Sequence, residues 1–276
     1  MKKILLIATV LFALNFADAQ TLTTPQPSPT QTIKQNFGVG AIELNYSRPS
    51  VKGRKVMGDL VPFGKVWRTG ANSATTLTFS EDVTIGGKAI KAGKYGLLTI
   101  PGEKTWTIII SKDVNVNQPS LYKVENDVVR VEADVVTMPY TIENFTINFA
   151  NITGNSCNVE LMWEHTYLQF PITTGTDANV MAQIDNAMNK DNKPYFNAAS
   201  YYYDNGKDLN QALSWVNKAL ETNKDAFWMY LLKARIHKKL GDKTAAKAAA
   251  LLCKDYATKA QNDDYVKMAT ELIAGL

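Results

Sequence analysis

The spacing of apolar residues changes once along this chain, and that change constrains the fold more than any other feature. From about Gly40 to Ile172 apolar and polar residues alternate, as in Ile42, Leu44 and Tyr46 and again in Leu77 and Phe79. A period of two puts successive side chains on opposite faces of a strand, so each such segment offers one face to a core. Gly86-Gly87, between Val83–Ile85 and Lys88–Ile90, reads as a two-residue hairpin turn, where glycine takes φ > 0 without steric cost. Further strands are expected at Lys94–Ile100, Trp106–Ser111, Val128–Val136, Tyr140–Phe149 and Cys157–Phe170, the last broken near His165. Turn residues at Lys91-Ala92-Gly93, Pro101-Gly102-Glu103, Met138-Pro139 and Thr153-Gly154-Asn155 separate them. Many short strands with little helix between them predict an antiparallel β-sandwich or open barrel.

After Thr173 the period becomes 3.6. Val180, Ile184 and Met188 stand four apart, and Pro194 suits the first turn of a second helix. Two related units follow: Tyr195, Ala199, Tyr202 and Gly206 recur as Tyr230, Ala234, His237 and Gly241, while Ala212 and Ala219 recur as Ala246 and Cys253. The spacing, together with the run Ala212–Glu221, resembles the tetratricopeptide repeat, in which small residues let paired helices approach closely. A final helix, Asp263 to Leu276, presents Tyr265, Met268, Ala269, Leu272, Ile273 and Leu276 on one stripe and is expected to cap the stack. The fold class is therefore α+β with segregated domains: a β-sandwich over 37–173 and a tetratricopeptide-like helical domain over 174–276.

The start of the chain gives an address. Lys2 and Lys3 precede an apolar stretch from Ile4 to Leu14, and Ala17-Asp18-Ala19 supplies a small-x-small cleavage pattern. Residues 1–19 thus read as a secretory signal, since a membrane span takes roughly 20 apolar residues. Residue 20 is Gln rather than Cys, which argues against a lipoprotein. A Pro-rich leader over 20–36, with Pro25, Pro27 and Pro29, is expected to be extended. No later segment reads as a transmembrane helix, so the mature protein is expected in the periplasm or outside the cell. A disulfide between Cys157 and Cys253 is conceivable in that compartment; two buried free thiols fit their apolar settings better.

Several chemistries have no motif here. The formal net charge of +4 is too small to suggest nucleic acid as a partner. Neither His165 nor His237 has metal ligands or a nucleophile at working spacing, so no metal site and no catalytic residue is assigned. His237 falls at a repeat position that packs between helices, and His165 reads as a strand-end surface residue. No nucleophile elbow, phosphate-cradling glycine loop or calcium loop is present, and no cofactor is implied. Glu160, Glu164 and Asp59 read as solvated carboxylates.

The segment Tyr46–Asn72 follows neither period. Loops this long inside compact domains are uncommon and often functional. Six basic residues (Arg48, Lys52, Arg54, Lys55, Lys65, Arg68) face a single acidic one, Asp59, and Phe63 and Trp67 sit among them. Arginines could hold an anionic group bidentately while Trp67 stacks on an apolar face, which makes Arg48, Arg54, Trp67, Arg68 and Asn72 the candidate ligand-binding residues. Alternatively the arginines pair with the body's own carboxylates, or the loop plugs one end of the sandwich.

Tyr46–Arg54, Gly58–Gly64, Val66–Asn72 and Ala92–Gly96 together resemble the secreted bacterial domain of unknown function 2911 family. The resemblance covers roughly Gln26 to Ile172; relatives often carry an acidic residue where Ser73 stands. It implies an exported β-rich domain, sometimes followed by tetratricopeptide-like helices, and assigns no activity. The expected function is a non-catalytic binding or assembly protein of the cell envelope that meets another protein or a peptide through its helices. The alternative is a binder of, or enzyme acting on, an anionic small molecule or glycan at the basic loop.

Overall fold

The computed structural model describes residues 24–276. The signal assigned to residues 1–19 lies outside the described residues, as do residues 20–23. The chain divides into two compact units, one ending at Gly175 and the other running Thr176–Leu276.

The first unit holds ten strands: β1 Thr30–Phe37, β2 Gly40–Ser47, β3 Thr76–Phe79, β4 Val83–Ile85, β5 Lys88–Ile90, β6 Gly93–Ile100, β7 Thr105–Ser111, β8 Asp127–Asp134, β9 Val136–Ala150 and β10 Ser156–Thr174. They form two antiparallel sheets, ordered β1-β2-β3-β6-β7-β8 and β5-β4-β10-β9. The sheets remain separate, so the arrangement is a sandwich and not a closed barrel. Leu44, Leu97 and Ile108 from one sheet and Phe145, Leu161 and Phe170 from the other share one core. Each buried side chain of this size contributes about 1.5–3 kcal/mol. The Gly86-Gly87 turn is as expected, with φ of 57° and 76°.

Four local details differ from the sequence expectation. β1 begins at Thr30, inside the segment assigned to the leader, because Thr30–Phe37 pairs in continuous register with β2. Met138-Pro139 is not a turn: it lies within β9, an edge strand, where proline's missing N–H removes no ladder bond. The change of sheet falls instead at Val135, between β8 and β9. β10 is not broken at His165; it bulges there, with register shifts on both sides of Glu164, whose φ is 54°. β6 and β7 are buried on both faces, because Leu98 and Ile109 lie under Val116, Tyr122 and Val66 on the outer side.

The second unit is all helix: α1 Thr176–Met188, α2 Tyr195–Asp204, α3 Leu209–Thr222, α4 Phe227–Lys239, α5 Lys243–Lys259 and α6 Asp263–Ala274. α2 packs on α3, α4 on α5, and α4 also touches α2 and α6. Ala199, Ala234 and Ala269 are fully buried at matching positions in α2, α4 and α6, each preceded four residues earlier by a tyrosine. The repeat therefore extends into α6, which is the first helix of a further unit as well as a cap. Asp208, Asp242 and Asn262 cap α3, α5 and α6 through their side chains. No helix among the described residues is long and apolar enough to cross a membrane. Cys157 and Cys253 are both free and buried, and burial pushes each thiol up to about 11.

Candidate functional site

The segment between β2 and β3 is stitched to both sheets. Val51 N donates to Glu143 O (2.8 Å) and Phe145 N donates to Pro49 O (2.8 Å), which ties its first part to β9. Trp67 and Thr99 exchange two backbone hydrogen bonds of 2.8 and 3.0 Å, and Gly64 N donates to Pro101 O (2.8 Å), which ties its second part to β6 and the turn after it. Between these ties Val51, Val56 and Val61 drop into the sandwich core. A spacing of five residues through successive turns matches neither a strand nor a helix, which explains the absence of a period.

Trp67 joins an aromatic cluster under the loop. Its indole stacks on Trp163 of β10 (centroids 5.8 Å, planes 15° apart) and meets Phe145 and Trp106 edge-on at 5.0 and 6.1 Å. The Trp163 indole N–H donates to Glu143 O (3.3 Å), the same carbonyl that accepts Val51 N. Trp163 is almost fully buried, whereas Trp67 is half-buried.

The outer side of Trp67 borders a pocket of about 550 Å³. Pro49, Leu60, Val61 and Pro62 make its apolar wall, with Pro119 from the β7–β8 connection and Trp163 behind. Arg54, Lys65 and Arg68 are its charged members, and no carboxylate lines it. Three of the five candidate residues, Arg54, Trp67 and Arg68, thus converge on one hollow.

The other two brace it. Arg48 turns toward β9, donating from Nε to Phe145 O (3.1 Å) and from Nη2 to Thr146 Oγ1 (2.7 Å). Asn72, at φ 56°, donates from Nδ2 to Ser28 O (2.9 Å) and so fixes Ser28 at the pocket rim. Lys52 and Lys55 point into solvent and do not line the pocket.

Within the wall the two arginines differ. Arg54 folds onto its own turn, donating to Val51 O (3.0 Å) and Ser50 O (2.6 Å). Arg68 donates from Nη1 to Asn117 O (3.1 Å), while its Nε is buried without a partner. Thr69 beside it is a β-branched residue at φ 57°, held there by hydrogen bonds to Thr99 Oγ1 (3.1 Å) and from Thr75 Oγ1 (2.7 Å). Such a conformation costs about 1–3 kcal/mol and persists only where its surroundings enforce it. At Gly70 (φ 153°) a Cβ would lie 3.0 Å from Ser47 O, a tight contact added to a backbone conformation that side chains rarely adopt.

The alternative in which the loop's cations pair with the body's carboxylates is not what is seen. The four ion pairs of lysine or arginine with a carboxylate among the described residues are Lys91–Asp82, Arg130–Asp127, Lys207–Asp177 and Lys259–Asp255, none from the loop. Loop arginines donate to neutral oxygens, which leaves their charge uncompensated. His165 lies outside the pocket, with ring nitrogens 3.1 Å from Met138 O and 3.2 Å from Thr141 Oγ1. Among the described residues no group of three or more His, Cys, Asp or Glu could hold a metal ion.

A family model described as protein of unknown function (DUF2911) matches residues 28–172, more than half of the chain. The chain belongs to that family. The DUF2911 region starts at Ser28 and ends two residues before the close of β10, so it includes every residue of the pocket wall and leaves out the helical unit. No curated protein and no solved structure matches the chain. Within the DUF2911 region, sequence reasoning found the loop but missed Ser28, Pro119 and Trp163. These lie far from the loop in sequence, and no local pattern marks them as its neighbours.

Proposed function

We propose that this is an exported binding protein of the cell envelope whose β unit takes an anionic small molecule in the pocket beside Trp67. The observation that carries this reading is Arg68: a guanidinium with a buried, unpartnered Nε in a wall that contains cations and no carboxylate. A buried donor without an acceptor loses about 1–3 kcal/mol of hydration, and an anion at that position restores it. Export rests on the signal pattern of residues 1–19.

Thermal shift tests the reading. Acetate, sulfate, phosphate and acidic sugars are compared with sodium chloride at equal ionic strength, since a ligand of the native state raises its melting temperature by mass action. The expected shift disappears in Arg68→Ala and survives in Lys52→Ala. If no anion exceeds the chloride control, the reading fails.

A second surface supports a protein-binding role for the helices. Tyr203, Arg235, Lys238 and Lys239 line a groove of about 640 Å³ whose far side is Met268 and Leu272 of α6. Three cations stand there against one carboxylate, Glu271, which suits an acidic peptide segment of an envelope partner. Charge reversal of Arg235 and Lys238 is expected to abolish capture of such a peptide and to leave anion binding in the β unit intact.

A further inference from the structure

Resting on the reading of the β-unit pocket as an anion site, we infer that its ligand is a carboxylate carried on a ring, with the carboxylate on the Arg68 guanidinium and the ring against Trp67. A guanidinium offers two forks. The end fork uses both terminal nitrogens, and the side fork uses Nε with Nη2. Here Nη1 gives one of its two N–H groups to Asn117 O, Nη2 donates to no described residue, and Nε is buried with no acceptor. The N–H groups that remain lie in the guanidinium plane, and a parallel pair of them on one edge matches the two oxygens of one carboxylate.

The other charged groups do not extend this into a site for a compact polyanion. Arg54 already spends Nε and Nη2 on Val51 O and Ser50 O, and Lys65 is exposed. The remaining wall is largely carbon: Pro49, Leu60, Val61, Pro62 and Trp67. A phosphate or sulfate would turn oxygens beyond the first two toward that carbon wall, where they lose water. A carboxylate has only two oxygens, and the body that bears it is carbon. The volume of about 550 Å³ lies within the range of small-molecule sites and accommodates a six-membered ring with substituents. Trp67 lines that space and is only half-buried, so part of its indole is available to a flat or apolar ring face.

Calorimetric titration of the whole protein with phenylacetate, glucuronate, acetate, sulfate and benzyl alcohol at fixed ionic strength tests this. A ring carboxylate, either phenylacetate or glucuronate, is expected to bind at least tenfold more tightly than acetate, sulfate or the neutral alcohol. Which of the two binds more tightly distinguishes an aromatic from a sugar acid. Arg68→Lys keeps the charge and removes the fork, and is expected to weaken the ring carboxylate at least tenfold. If sulfate matches or exceeds both ring carboxylates, the inference falls while the anion site stands. If benzyl alcohol binds as well as phenylacetate, the carboxylate contact is refuted. Binding of none of the five overturns both the inference and the anion site. The ranking on the wild-type protein decides the matter even if Arg68→Lys does not fold.

Discussion

The indoles of Trp67 and Trp163 lie nearly parallel, 5.8 Å apart, although one belongs to a loop and the other to the longest strand. This contact makes the basic loop part of the sandwich. Its inner face is core and its outer face is pocket wall, so packing into the sandwich and lining a pocket are two sides of one element.

Removing the Trp67 ring should therefore destabilise the β unit. Large aromatic truncations in cores cost about 3–5 kcal/mol, and a half-buried indole stands near the lower end. Trp67→Ala is expected to lose about 3 kcal/mol in urea unfolding. An unchanged midpoint would detach Trp67 from the core.

Arg48 should separate support from recognition. Arg48→Ala leaves Phe145 O and Thr146 Oγ1 without their donor, a loss of about 1–3 kcal/mol. The variant is expected to melt earlier while retaining the full ligand-induced shift, because Arg48 does not line the pocket. Loss of that shift in a folded variant would give Arg48 a direct role.

The helical unit offers a cap to test. Asp208 accepts hydrogen bonds from Asn210 N (2.8 Å) and Gln211 N (3.2 Å) at the start of α3. Asp208→Ala should cost about 0.5–2 kcal/mol, and Asp208→Asn should recover most of it. Equal melting of the two variants would mean that this cap adds nothing.

His237 should make the helices acid-sensitive. Burial lowers its pKa below the usual histidine value, Asp242 opposes the shift, and Lys233 reinforces it. The unfolded chain then takes up the proton first, so the contribution of His237 is complete above about pH 6.5 and is lost as pH falls toward the lowered folded value. Melting temperature measured from pH 7.5 to 5 should fall less steeply in His237→Gln than in the wild type. Parallel curves would exclude His237 as the source.

The two thiols should be inert in the folded protein. With both near 11, roughly one in a thousand is ionised at pH 8. Iodoacetamide is expected to label neither in native buffer and both in denaturant, as read by mass. Absence of label after unfolding without reductant would reveal a disulfide instead.

The class of each half was legible in the residue order alone, because the alternation of Ile42, Leu44 and Tyr46 and the recurrence of Ala199 at Ala234 follow from strand and helix geometry over a few residues. The residue order also marked the basic loop, since the loop's charge and lack of period are local properties. It could not show that Pro139 lies inside an edge strand, that β10 passes His165 by a bulge, or that Arg48 faces β9 while Arg68 faces the pocket. Each depends on which strands become neighbours, and pairing across a hundred residues leaves no repeating mark in the chain. The pocket is the clearest case: Ser28, Trp67, Pro119 and Trp163 share a wall only because two sheets close on one another and the loop is drawn between them.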